Sequence, residues 1–135
     1  MPASAAALRA ALFTALKNDT PLASLLGGAR VYDEPSREAA FPYVTLGEAT
    51  VADGSTSTEG GDEHGLTLHV WSRHGGHREA HEIAGAVLEA LADAPLAADG
   101  HRLANLRFVT ADVRREADGR TYHGLVRLRA YTEPA

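Results

Sequence analysis

The sequence predicts an α+β fold: an antiparallel β-sheet of about four strands with helices packed on one face, in the order α-α-β-β-α-β-β. Three patterns carry this expectation. Ala80, Ile83, Ala84, Val87, Leu88 and Leu91 recur at helical spacing, with Arg78, Glu82 and Glu89 on the opposite side. Leu66, Leu68 and Val70 alternate with Thr67, His69 and Trp71, the period of a half-buried strand. Asp118-Gly119 stands between two further alternating segments, the strongest short signal for a hairpin turn.

Taken in order, Ser4 can cap a first helix over about 5–17, in which Leu8, Leu12 and Leu16 form one apolar stripe. "NDTPLASLLGG" then offers Thr20 as N-cap, Pro21 at the first helical position and Gly27 as the stop of a second, short helix. A loop, "DEPSREAAFP", leads to a strand from Pro42 to about Val51, with Val44 and Leu46 on one face and Tyr43 and Thr45 on the other. Residues 52–63, "ADGSTSTEGGDE", are polar and rich in Gly, Ser and Thr, which predicts a long mobile loop before the strand that ends in "LHVWS". Gly75 and Gly76 form the joint through which that strand turns into the main helix, which begins near Gly76 and is broken at Pro95. Two strands over about 102–115 and 120–132 complete the sheet. In the last, Tyr122, Gly124, Val126, Leu128 and Ala130 share one face, and His123, Leu125, Arg127, Arg129 and Tyr131 the other.

Length and composition bound the function. A chain of 135 residues, 44% of them hydrophobic, suits a single domain spanning 1–135. Cysteine is absent, which excludes disulfides, thiolate metal sites and thiol nucleophiles. The N-terminal apolar run has no preceding positive charge and is interrupted by Arg9 and Lys17, so it reads poorly as a signal peptide. No run of about 18 apolar residues is present to span a membrane, and the expected setting is the cytoplasm or an assembly built there. The net charge of −5 is unevenly placed, because residues 101–135 hold seven arginines against four acids, a local +3 that leaves −8 for the first hundred. Such asymmetry suits a protein whose faces meet different partners or copies of itself; a dedicated nucleic-acid binder is usually basic overall.

The candidate chemistry is a histidine cluster, His74, His77 and His81, spaced H-x2-H-x3-H. His77 and His81 have the i, i+4 spacing of helical zinc ligands, and a small metal-dependent hydrolase is the competing functional reading. In H-E-x-x-H sites the basic glutamate follows the first histidine directly; here Glu79 sits at i+2, about 200° round the helix from His77. No G-x-S-x-G elbow or Walker loop is present, and "GGHRE" lacks the Lys and Ser/Thr of a phosphate cradle. Asp62 and Glu63 lie in a polar loop, unsuited to a tuned acid pair. No cofactor is expected. The second sheet face, which carries Tyr43, Trp71, Tyr131 and several arginines, has instead the composition enriched at protein contacts.

Three segments, "FPYVTLGEATVADGSTST", "GLTLHVWSRHGGHREAHEIAGAVLEAL" and "RLANLRFVTADVRREADGRTYHGLVRLRAYTE", together resemble the tail-completion or tail-terminator proteins of long-tailed bacteriophages. The resemblance runs from about Leu8 to Thr132 and is strongest to the version in gene transfer agents, the phage-like particles of alphaproteobacteria. "PYVTLG", "VWSR" and "HGLVRLRAY" are its most specific parts, and none is catalytic. It implies a structural virion protein: a ring, usually of six copies, that caps the tail tube, stops its elongation and offers the head-tail joining surface. The implied partners are other copies of the chain, the major tail tube protein, a head-tail connector or stopper, and DNA passing unread through a central channel. The expected subunit or tube interface comprises Tyr43, Trp71, Arg73, Arg127, Arg129 and Tyr131 of the sheet with Asp53, Glu59 and Asp62 of the loop. Arg127 and Arg129 either meet acids of the next subunit or face the channel.

Overall fold

A computed structural model of the chain describes residues 3–93, 96 and 98–135. The order is α1 (Ala3–Lys17), α2 (Thr20–Leu26), β1 (Val31–Tyr32), β2 (Tyr43–Asp53), β3 (Asp62–Ser72), α3 (Arg78–Asp93), β4 (His101–Arg115) and β5 (Tyr122–Pro134). One sheet runs β1-β2-β3-β5-β4. It is antiparallel except where β1 lies parallel to β2. The expected α+β class with helices on one face is present, but the strands number five rather than four. The added strand, β1, has two residues, too few to show an alternation, and is held by Val31 pairing with Val44 beneath the helices.

The core forms where the apolar stripes meet. Leu8, Leu12 and Leu16 of α1, Leu22 and Leu26 of α2, and Ala80, Ile83, Ala84, Val87 and Leu91 of α3 pack onto Val44, Leu46, Leu66, Leu68, Val70, Val126 and Leu128. Leu88, also assigned to the α3 stripe, is only half-buried at its edge.

Several local expectations need correction. Ser4 does not cap α1 but lies within it, buried, and its hydroxyl donates to Asp62 Oδ2 at 2.6 Å. The cap of α2 is Asp19, whose carboxylate accepts from the Leu22 N–H at 3.0 Å, so Thr20 is already helical; Asp and Thr are both good caps, and the carboxylate takes the site. Gly27 ends α2 in the left-handed region at φ 82°, as expected. The main helix begins at Arg78, two residues after Gly76, and its expected break at Pro95 lies outside the described residues. The strands flanking the polar loop are longer than anticipated: β2 and β3 stay paired to Asp53 opposite Asp62, which leaves 54–61 as the connection. Its ends are joined by Gly54 N–H to Gly61 O at 2.9 Å, and its tip by Thr56 N–H to Glu59 O at 2.8 Å.

A bulge interrupts β2 where the register against β3 shifts between Leu46 and Ala49. Arg9 reaches over from α1 and donates to the carbonyls of Leu46 and Gly47, at 3.1 and 2.9 Å, while pairing with Asp33. Those two carbonyls are thus satisfied by a side chain from the helical layer.

Candidate contact surface on the open sheet face

The helices cover one side of the sheet, and the other presents a grid of side chains whose rungs follow from the register. The first rung runs Tyr43, Trp71, His123, Arg114 across β2, β3, β5 and β4. The second is Thr45, His69, Leu125, Asp112. Past the bulge come Thr67, Arg127, Thr110, then Thr50, Gly65, Arg129, Arg107, and last Ala52, Glu63, Tyr131, Asn105. One end is therefore aromatic, and Arg127, Arg129 and Arg107 cluster toward the other.

At the aromatic end Trp71 lies flat on His123, with ring centres 3.9 Å apart and planes 9° from parallel. Tyr43 stacks on its other side at 6.3 Å, and Phe41 and Tyr32 extend the cluster at 5.0 and 5.8 Å from Tyr43. The indole N–H donates to Thr45 Oγ1 at 3.1 Å, which satisfies the one polar atom of Trp71 and orients the ring. Arg73 spreads its guanidinium 4.1 Å over Phe41 and donates to Thr121 Oγ1 at 2.9 Å. Its other neighbour is Asp118, whose carboxylate accepts from the Thr121 hydroxyl and the Thr121 and Arg120 N–H groups; these bonds draw its pKa down to about 2. Together these groups border a cavity of about 550 Å³ floored by Trp71 and His123.

Beneath the indole runs a chain of titratable groups that the sequence did not reveal. Glu48 Oε1 lies 3.0 Å from His69 Nε2, His69 Nδ1 lies 2.6 Å from His123 Nε2, and His123 Nδ1 lies 2.6 Å from Glu116 Oε1. Ionised carboxylates only accept, so His69 Nε2 donates to Glu48 and His123 Nδ1 to Glu116, and of the two facing ring nitrogens one donates to the other. Burial is the main influence pulling the His123 pKa below its ordinary value, against the opposing pull of Glu116. Alternation places His69 and His123 on the open face, but only the β3/β5 register brings them together. Gly47 makes room for the contact, because a Cβ there would sit 2.3 Å from His69 Nε2.

At the other end, Tyr131 donates its hydroxyl to Gly54 O at 3.0 Å, and Gly54 and Gly61 close around its ring; a Cβ on Gly61 would lie 1.9 Å from the phenol oxygen. Arg127 pairs with Asp112 at 3.5 Å, whereas Arg129 stands directly opposite Arg107.

The expected interface residues therefore separate by place. Tyr43, Trp71, Arg127, Arg129 and Tyr131 share the open face, and Arg73 adjoins its aromatic end. Glu59 is exposed in the 54–61 connection. Asp53 accepts from the N–H and hydroxyl of Ser55, and Asp62 turns toward the helices to Ser4. The histidines of the metal reading take up unrelated roles: His77 meets Tyr122 edge-on at 4.9 Å, and His74 and His81 are exposed. Glu79, already misplaced for a base in the sequence, accepts from the Ser72 hydroxyl at 2.6 Å. Among the described residues no three His, Asp or Glu side chains are grouped to hold a metal ion, and no helix is long and apolar enough to cross a membrane.

A sheet with one face packed on its own helices and the other set with stacked rings and guanidinium groups defines a small α+β domain whose open face has the composition enriched at protein contacts. The model of the tail completion protein gp17 family matches residues 10–133. The chain belongs to that family, and its role is structural, in phage-type tails. It is 31% identical over 125 residues to the tail completion protein gp17 of Bacillus phage SPP1, covering 91% of this chain and 90% of that one. A chain in the virion of a native gene transfer agent particle superposes with a TM-score of 0.89 at 36% identity, covering 98% and 99% of the two chains. The structure of the SPP1 gp17 protein superposes with a TM-score of 0.65 at 29% identity, over 92% and 87%.

Proposed function

We propose that the chain is a ring-forming tail terminator, six copies of which close on the last ring of the tail tube, stop its elongation and present the surface that joins tail to head. The observation that carries this reading is the open sheet face: four strands contribute aligned aromatic, histidine and arginine side chains to one continuous surface with a polarity gradient along it. Flat, half-apolar surfaces with stacked rings and pre-bonded arginines suit contact between folded proteins. The major tail tube protein and a head-tail connector or stopper are the partners, and the work involves no catalytic step.

In this reading Tyr43, Trp71, Arg73, Arg127, Arg129 and Tyr131 form the subunit or tube interface. The 54–61 connection, which carries Glu59 and is flanked by Asp53 and Asp62, serves as an arm toward a neighbour, and DNA passes through the ring without being read. The charge asymmetry supports a heterologous, ring-closing contact, in which two different patches of one chain meet. Deleting the gene from a producing strain tests the proposal: particles should show tails of uncontrolled length, or tails detached from heads, by electron microscopy. Normal particles would overturn it.

A further inference from the structure

The cationic end of the open face contains a hollow that the contact reading does not by itself assign. Arg107 and Arg129 are direct cross-strand partners on β4 and β5, a like-charge pairing that is unfavourable unless something offsets it. Among the described residues neither guanidinium lies within 4.0 Å of a carboxylate, whereas Arg127, one rung away, pairs with Asp112. Both line a cavity of about 460 Å³ that also holds Thr50, Asn105 and Glu63. The cavity is open because the rung between Thr50 and Arg129 is filled by Gly65; a Cβ there would stand 2.8 Å from Thr50 Oγ1.

Resting on the ring proposal, we infer that this hollow is the socket for one carboxylate side chain of a second copy of the chain. Two guanidinium groups, an amide and a hydroxyl supply donors on three sides, the arrangement that recognises a carboxylate through charge-assisted hydrogen bonds. Glu63 on the lining leaves a local charge of +1, enough to take one carboxylate. The same Glu63 opposes a run of phosphates, and the chain as a whole, at −5, repels a polyanion. The partner charge is abundant on the same molecule, since the first hundred residues sum to −8. Filling the socket removes the Arg107–Arg129 repulsion only when copies associate, so the free monomer holds the penalty and the assembly releases it.

Lys17 is the chain's single lysine, which makes a zero-length cross-linking test clean. Equal amounts of ¹⁴N- and ¹⁵N-labelled Arg129→Lys protein, and separately Arg107→Lys protein, are mixed with purified tail tubes, treated with carbodiimide and digested for mass spectrometry. The expected product is an isopeptide bond from the introduced amine to an Asp or Glu of residues 3–99, with mixed isotope labels that mark it as intermolecular. Links confined to one copy, or to the tube protein, overturn the socket. In parallel, Arg107→Glu/Arg129→Glu should lower the copies retained per particle at least tenfold, while Arg115→Glu, on the same strand, stays within twofold. Retention of the double variant within twofold overturns the proposal. So does loss of binding to a 30-base-pair duplex, read by fluorescence anisotropy, with ring assembly intact. Failure of the ring reading looks different: particles lacking the chain altogether are then normal.

Discussion

The two buried histidines make the fold's stability depend on pH in a direction that can be worked out. His64 is 3% and His123 6% exposed, and burial is the leading cause that lowers the pKa of each below the ordinary 6.5. Around His64 the other influences are Asp62, which favours the charged form, and His101, which opposes it; its Nε2 lies 2.9 Å from Thr132 Oγ1. Around His123 they are Glu116, His69 and Arg114. A histidine whose folded pKa is depressed resists a proton that the unfolded chain accepts. Its neutral form therefore supports the fold fully above the unfolded pKa, and stability falls as pH drops through 6.5 toward the folded value. While both rings stay neutral the slope is at most about 2.7 kcal/mol per pH unit for the two, so the loss between pH 6.5 and 5 is bounded at about 4 kcal/mol. Even a fraction of that ceiling is measurable against the about 5–15 kcal/mol stability of a domain this size. Urea denaturation followed by circular dichroism at pH 7.5, 6.5, 5.8 and 5 measures it, and the slope should shrink in His64→Gln and His123→Gln. A midpoint that is flat or rises on acidification would refute the reasoning.

Other outcomes follow from specific contacts. Gly61→Ala forces Tyr131 off its bond to Gly54 and should destabilise by about 1–3 kcal/mol in the same denaturation assay, against about 1 kcal/mol for Tyr131→Phe. Ile83→Ala empties a fully buried site between α3 and the sheet, and its loss should be about 2–5 kcal/mol, seen as a lowered urea midpoint with unchanged slope. Gly47→Ala places a methyl against the His69 imidazole; two-dimensional ¹⁵N spectra of the histidine rings should show the His69–His123 hydrogen bond broken while the fold persists. Excess EDTA should leave the thermal midpoint within 1 °C, and a larger fall would reopen the metal reading of the histidine cluster.

What the chain discloses before folding depends on how far each signal reaches. The stripe of α3 and the alternation of β3 and β5 are local and redundant, six or more residues agreeing on one face, so they are legible. The strand β1 is not, because two residues carry no period. The β2 bulge is equally hidden: Leu46-Gly47-Glu48-Ala49 offers no apolar marker for the extra residue, yet after it the faces exchange, which puts Thr50 on the open side and Asp53 with Asp62 on the helical side. For the contact surface, alternation finds the members Trp71, His69, His123, Arg127 and Arg129. Their grouping into an aromatic end, a histidine pair and an arginine hollow is a property of interstrand register, which no single strand encodes. The H-x2-H-x3-H spacing misleads for the complementary reason: it is local, and His74 and His77 lie exposed before α3 and His81 exposed on it, while the consequential pair comes from residues 54 positions apart.

The edge of the sheet favours the proposed association through its face. β4 is 15 residues long and pairs only with β5, so its outer side exposes a row of backbone groups that could template another strand without limit. Phe108 and Val109, 52% and 44% exposed, would favour such pairing. Against it stand Arg102, Arg107, Arg114 and Arg115 along the same strand, and register shifts against β5 between Leu103 and Asn105 and between Phe108 and Thr110. Charges of one sign repel an identical strand laid alongside, and each shift bends the edge away from the straight ladder that continued pairing needs. An unprotected edge would give open-ended stacking of sheets, whereas a contact through the polar and aromatic grid has fixed geometry and can close. The arginines of β4 thus act twice, holding other edges off along the strand and, at Arg107 and Arg114, supplying charge to the face proposed for contact.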